Sequence, residues 1–398
     1  MSTGHAIGLV TISRFGTLGV SLVGGVLLAR SLEVPARGVL SVSITLVSLL
    51  ASVGAAGLET AALRSAGGSD GSAVLYSSIR RSALVTCACV PVSLVLLMFK
   101  VPIAGLQPLE AAIAVLTIPV IVLSQLLSNC SLGMRRYRVW VASTVGTVSA
   151  YVIGIAGLTI AGVTSLGAYL AAFALGYVFS AMVLLTSLRG AARRPSRDAA
   201  SRVAASASRM TAITLLQMVF LRVHAPLVQA LGSSGAAGLL AVATPLVDAL
   251  LFLPVAAGLV LLPRYAAQNR GSARPLQDAL RVSLITALGA IALGLLAPIV
   301  VPFLYGADYA DASTLVQWML PGAVAFAFAR VLQSHLLATE SYATLVLGSL
   351  LAVIFSVAVQ LILSPHLGAT GAAIAIAAGY VTMTVTFSIG YARRPANA

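Results

Sequence analysis

Apolar stretches of roughly 20 residues follow one another along the whole chain, each parted from the next by a short polar or Gly/Pro-containing break. A helix rises about 1.5 Å per residue, so about 20 residues cross a hydrocarbon core about 30 Å thick. Twelve such runs are predicted, at 7–29, 38–62, 82–99, 111–132, 139–161, 166–188, 210–231, 236–262, 280–303, 314–338, 342–363 and 370–391. Nothing between them is long enough to fold as a separate soluble domain. The pattern predicts an all-α polytopic membrane protein whose function lies within the membrane-spanning body.

The longest polar break, RGAARRPSRDAASRVAASASR at 189–209, falls almost at the midpoint and carries six arginines against one aspartate. It divides the chain into an N-terminal six-helix bundle at 1–188 and a C-terminal one at 210–398, with a basic cytoplasmic linker between them. The halves echo each other. LGAYLAAFALGYV from Leu166 returns as LGATGAAIAIAAGYV from Leu367, and GLETAALR from Gly57 as GLVLLPR from Gly258. Two six-helix halves of the same topology imply pseudo-symmetry about an axis along the membrane normal, with a cleft between the bundles.

Composition agrees. Of 398 residues, 59% are hydrophobic and 9% charged, against about 25% charged in a soluble globular chain. In a soluble protein the net charge of +14 would suggest nucleic acid, but here the arginines follow the breaks. Assigning breaks alternately to the two sides puts 18 of the 24 basic residues on one side, while the other takes Arg30, Arg37 and Lys100. Basic residues favour the cytoplasmic side, so both termini are expected in the cytoplasm and the chain in the plasma membrane. No basic segment precedes the first run and no clear cleavage site follows it, so it reads as a retained span. Cys87, Cys89 and Cys130 sit inside apolar runs without partners at metal or disulfide spacing, and are expected to be packing thiols.

With the breaks set aside, a few polar side chains remain at depth: Arg14 in the first run, Arg222 and His224 in the seventh, Asp248 in the eighth and Arg330 in the tenth. Glu59 and His335 lie near cytoplasmic ends. A charge at membrane depth costs a few kcal/mol or more, so it is retained for a reason. At helical spacing Arg14 shares a stripe with Thr17, Ser21 and Gly25, Arg222 with Gln229, and Arg330 with Gln333 and Ser334. Asp248 pairing with Arg222 for packing alone is one account, and snorkelling of Arg14 and Arg330 to head groups is another. Three arginines against one aspartate leave a positive excess, which an anionic guest explains. The planar fork of arginine suits phosphate, and a two-lobed cleft suits something bulkier than an ion. No GxxxxGK[ST] loop occurs, and no sizeable outer loop carries the acids a membrane glycosyltransferase or polymerase would need.

The segment LLARSLEVPARGVLSVSITLVSLLASVGAAGLETAALRSAGG (27–68) resembles the opening of Wzx-type oligosaccharide flippases. The similarity continues through GMRRYRVW, FLRVHAPLVQALG, FLYGADYADASTLVQWMLPG and HLGATGAAIA, spanning nearly the whole chain. The resemblance implies the fold of the multidrug/oligosaccharidyl-lipid/polysaccharide exporter superfamily: two six-helix bundles in a V, alternating access, and a cationic lumen for the diphosphate-linked sugar of a polyprenyl carrier. Arg14 and Arg222 match family positions where basic residues occur, and His224 falls where many members carry an acid.

The expected function is therefore a flippase moving a polyprenyl-pyrophosphate-linked oligosaccharide from the inner to the outer leaflet for cell-surface polysaccharide. Arg14, Arg222 and Arg330, with Gln229 and Gln333, form the candidate substrate site, and Asp248 orients an arginine or carries a coupling proton. No metal, cofactor or nucleic acid is expected. Coupling to a proton or sodium gradient, contact with membrane lipids and glycosyltransferases of the same pathway as partners are. A cation-coupled drug antiporter of the same fold, or a polysaccharide polymerase or ligase, are the other readings.

Overall fold

The computed structural model describes residues 3–55, 57–59, 62, 66, 71–100, 105–188, 211–267 and 274–393. The side chains of 3–12, 14, 15, 259, 263, 266 and 267 fall outside that description, as does the basic linker predicted at 189–209. The described elements are α-helices, with one short 3-10 helix at Ala307–Tyr309. Six come first: α1 (Thr3–Ser31), α2 (Val34–Ala55), α3 (Gly71–Met98), α4 (Pro108–Gly133), α5 (Tyr137–Ile160) and α6 (Leu166–Leu188). Then follow α7 (Thr211–Arg222), α8 (His224–Leu231), α9 (Ser234–Ala267), α10 (Pro275–Tyr305), α11 (Ala312–Ala338), α12 (Tyr342–Leu367) and α13 (Ala369–Ala392). Among the described residues ten helices are long and apolar enough to cross a membrane. α7 and α8 together supply an eleventh crossing, and α1 contributes the shorter apolar stretch Gly16–Ser31. The chain is a multi-pass membrane protein.

The chain forms two compact units, one of 1–33 and 42–215, the other of 34–41 and 216–398. Counting α7 and α8 as one crossing, each unit pairs its first helix with its fifth, third with fourth, fourth with sixth and fifth with sixth. The sequence echo lands on this shared pairing. Gly176 of α6 approaches the Thr147 carbonyl of α5, and its counterpart Gly379 of α13 approaches Ser356 of α12. A Cβ at either position would collide, so glycine sets the spacing of the last two helices in each unit. The turns before those helices also agree, since Gly162 (φ 67°) and Gly368 (φ 56°) both take the left-handed conformation that glycine tolerates. The second echo does not hold in three dimensions. Gly57 (φ 71°) lies just past the end of α2, whereas Gly258 sits inside α9, which runs nine residues further.

Several boundaries differ from the hydropathy reading because a helix continues past its apolar stretch. α3 begins at Gly71 and carries Arg80 and Arg81 as exposed helical residues, with Arg81 Nε donating to the Gly54 carbonyl at 2.8 Å. α2 begins at Val34 with Pro35 in its first turn, where the missing N–H costs nothing. Arg37, expected in an outer loop, is therefore helical and only 5% exposed. Residues 34–41 belong to the second unit, where the Arg37 guanidinium lies over the rings of Tyr305 (5.6 Å) and Tyr309 (5.4 Å). Beside it Gly38 abuts the Ser234 carbonyl and Gly238 the Val34 carbonyl, an interlock that no side chain could enter. In the first unit Glu110 ties two helix starts together: it accepts from the Gln107 N–H at 2.9 Å and the Gly167 N–H at 3.1 Å.

Candidate substrate site in the second unit

The seventh crossing is broken. α7 and α8 meet at 41° between Arg222 and His224. Pro226 supplies the reason: it has no N–H for the carbonyl four residues back, that of Arg222, and its ring crowds that carbonyl. Arg222 thus ends α7 beside a break near the middle of the crossing, with an exposed side chain. The stripe expected to join Arg222 with Gln229 presumed a straight helix. The bend interrupts that register, and Gln229 sits half-buried on α8.

Asp248 lies near the middle of the spanning part of α9, Ser234–Leu262, 14 residues or about 21 Å from its start. Its side chain is exposed, and it interacts electrostatically with Arg222 and with Tyr380 of α13. Two opposite charges at mid-span, both exposed and within each other's field, form the centre of the site. Behind them stands an aromatic wall. Tyr380 packs against Phe220 of α7 (ring centroids 5.0 Å) and Phe326 of α11 (4.8 Å), and Phe220 meets His224 edge-on at 5.6 Å. Gly379 lets the Phe220 ring approach the α13 backbone. His224 itself is buried and bonded to Gln360 of α12.

A second polar group lies one-third of the way up from the end of α11. Arg330 is half-buried, and its Nη1 donates to Gln333 Oε1 at 2.9 Å. Its Nε is buried and has no hydrogen-bond partner among the described residues. Among the described residues the guanidinium thus bonds a neutral amide and meets no carboxylate. Gly258 of α9 makes the room, since a Cβ there would stand 3.4 Å from Arg330 Nε and 3.0 Å from Ser334 Oγ. Ser334 donates to the Gly258 carbonyl at 3.1 Å, joining α11 to α9. Gln333, only 4% exposed, has its oxygen committed to Arg330 and acts by holding that side chain. With that oxygen engaged by Arg330, the pair presents mainly N–H donors, which suits an anion.

Arg14 lies on α1, and its side chain is outside the described residues. The described interior of the first unit carries neutral polar groups: Ser124 bonds Ser180 at 2.7 Å, and Tyr151, Phe173 and Tyr177 stack edge to face at 5.4 and 5.1 Å. Tyr177 is the repeat counterpart of Tyr380, yet no described carboxylate stands at mid-span in that unit. Cys89 and Cys130 are buried, with Ser78 Oγ 3.7 Å from Cys130 Sγ, while Cys87 is exposed. No group of three metal-ligating side chains gathers among the described residues. Sequence reasoning missed the break after Arg222, although Pro226 was its visible signal. It also missed the His224–Gln360 pair, for which 136 residues of separation left no signal.

No family model and no curated protein sequence matches the chain. Solved structures do. An inward-facing multidrug-resistance MATE-family transporter of the MOP superfamily aligns over 98% of both chains, with TM-score 0.74 and 15% identity. The lipid II flippase MurJ, in an inward closed conformation, aligns over 97% of this chain and 87% of its own, with TM-score 0.78 and 13% identity. A MOP-superfamily transporter from Pyrococcus furiosus, whose binding pocket is described as reversed in polarity, aligns over 98% and 95%, with TM-score 0.59 and 14% identity. The chain therefore has the fold of the MOP-superfamily membrane transporters and flippases.

Proposed function

We propose that this protein is a flippase that carries a polyprenyl-pyrophosphate-linked oligosaccharide from the inner to the outer leaflet by alternating access, for cell-surface polysaccharide. The observation that carries the reading is the positive charge held at depth in the second unit. Among the described residues Arg330 bonds a neutral amide through its guanidinium, and Arg222 stands exposed at mid-span with Asp248 in its field. Guanidinium groups bind phosphate oxygens in pairs, and at membrane depth weak screening strengthens that attraction. Asp248 orients Arg222, and Arg14 of α1 adds a third cation. The fold shared with the lipid II flippase supports a lipid-linked substrate. Both termini and the basic breaks face the cytoplasm of the plasma membrane, a proton or sodium gradient drives the cycle, and glycosyltransferases of the same pathway supply the substrate.

The experiment is flipping of a fluorescent polyprenyl-pyrophosphate oligosaccharide in vesicles holding the purified protein, alongside surface polymer in cells. Replacing Arg14 and Arg222 together by alanine should abolish both at unchanged protein level; full polymer in the double variant ends the reading. One observation favours a second reading. Asp248 is an exposed mid-span carboxylate, which a small-cation or drug antiporter would need, and MATE transporters share the fold. Efflux of cationic dyes that Asp248→Asn abolishes would establish it instead.

A further inference from the structure

His224 opens α8 with a side chain only 3% exposed, and Gln360 of α12 meets it twice. Gln360 Nε2 donates to the His224 backbone carbonyl at 2.9 Å, and Gln360 Oε1 lies 2.6 Å from His224 Nδ1. Together the two bonds locate a hydrogen. A carbonyl oxygen only accepts, so the NH2 end of the amide must face it. The other end, Oε1, also only accepts, so His224 Nδ1 must be the protonated nitrogen. In the neutral ring Nε2 is then a bare lone pair, and no hydrogen-bond partner meets it among the described residues. One side of the ring is closed by Phe220, edge-on at 5.6 Å.

We propose that His224 Nε2 is a proton-binding site that couples proton uptake to rearrangement of the α7–α8 break; this rests on the transporter reading and names its coupling ion. The step is simple: a proton adds to the Nε2 lone pair, no bond breaks, and the ring charge rises from zero to one. In the present packing the new N–H finds no acceptor. Nδ1 cannot give up its own hydrogen in exchange, because Gln360 Oε1 requires a donor. Neutral and protonated rings therefore belong to different arrangements, and a ligand that binds two arrangements unequally shifts the balance between them. Pro226 has already interrupted the helix ladder two residues on, so rearrangement there breaks few further bonds.

The helices packed on α8 are α9, α12 and α13. α9 carries Asp248 and α13 carries Tyr380, which interact with each other, while the group that meets the His224 ring is the neutral amide of Gln360 on α12, with His366 only at the far end of that helix. α7 contributes Arg222, which opposes a second positive charge nearby. Asp248 is the carboxylate of this set, so turning the ring toward it answers the new N–H and the new charge together. It would also draw Asp248 away from Arg222, freeing that arginine for an anion.

The test uses full-length protein in lipid nanodiscs, labelled with nitrogen-15 histidine, with the His224 signals assigned by their loss in His224→Asn. At about pH 8 the ring should show a protonated Nδ1 and a bare Nε2. On acidification Nε2 should gain its proton, and a fluorine probe on Leu221→Cys, with Cys87→Ser, should shift with the same midpoint. In Gln360→Leu the hydrogen should move to Nε2 and the probe should no longer follow the ring. A protonated Nε2 in the wild type at about pH 8, or a probe indifferent to the titration of the ring, overturns the proposal. If ring and probe behave as stated but no lipid-linked sugar is flipped, the proton site stands and the substrate assignment fails.

Discussion

Pro226 stands one helical turn beyond Arg222, and the N–H it lacks is the one that would meet the Arg222 carbonyl in an unbroken helix. The 41° bend falls at this step. In Pro226→Ala the ladder can close, since alanine restores the donor and removes the ring clash. An interior proline costs about 3 kcal/mol or more, so the variant should unfold at a higher temperature in detergent while flipping falls at least tenfold. A variant both more stable and fully active would show that the break has no part in transport.

Arg222 and Asp248 share one field at mid-span, where weak screening strengthens their attraction. Asp248→Asn should therefore slow flipping. Its effect belongs to transport, because Arg222 loses the charge that orients it. A double-mutant cycle of Arg222→Ala and Asp248→Asn on flipping rate should give a clearly non-additive result. Additive losses would mean that the two side chains act separately.

Arg330 depends on Gly258 and Gln333. A side chain at Gly258 enters the space of Arg330 Nε and Ser334 Oγ, so Gly258→Val should cost about 1–3 kcal/mol through overpacking. Gln333→Leu removes the acceptor of a half-buried guanidinium and should cost a similar amount, since hydrogen bonds to charged groups are worth about 1.5–3 kcal/mol. Chemical unfolding in detergent would measure both. Gln333→Glu, which supplies a carboxylate at the same place, should hold the fold but abolish anion binding by neutralising Arg330.

The interlock at the start of α2 predicts a purely structural phenotype. A side chain at Gly38 collides with the backbone carbonyl of Ser234, and backbone cannot swing aside as a flexible side chain can. Gly38→Val should reduce the amount of folded protein sharply. Arg37→Met keeps most of the unbranched stem but loses the contacts with Tyr305 and Tyr309, at a cost of about 2 kcal/mol or more for a desolvated cation over aromatic rings. Yield and monodispersity on size exclusion would read both.

Glu59 gives a pH prediction. It lies beyond the end of α2, half-buried, and burial raises its carboxyl pKa above the usual 4.5. A raised carboxylate pKa means that the folded state prefers the protonated form. The stabilising contribution is whole below the unfolded pKa and disappears as pH rises through the folded one. Glu59→Gln should therefore raise the unfolding temperature at neutral pH and leave it unchanged at about pH 4. An equal gain at both pH values would place the cause in packing rather than in ionisation.

The twelve apolar runs were legible because crossing a membrane imposes a length and a polarity on each helix independently of every other helix. The repeated Leu-Gly…Gly-Tyr-Val pattern was legible for a related reason: a glycine at a close helix crossing is a local demand, met at Gly176 and again at Gly379. The intramembrane charges Arg222, Asp248 and Arg330 announced themselves by their cost. What surrounds them did not. Whether a polar side chain faces open space, a carboxylate or a neutral amide depends on residues far along the chain. Gln360 lies 136 residues from His224, Gly258 lies 76 from Ser334, and Tyr305 and Tyr309 close over Arg37 from the other half of the chain. The sequence by itself determined that this is a chain of membrane-crossing helices with a few charged side chains placed at depth. Only the tertiary structure decided that Arg37 is a buried strap rather than a loop charge, that Gln333 serves Arg330, and that His224 keeps a bare nitrogen, because hydrogen bonds are directional and their partners are chosen by packing rather than by order along the chain.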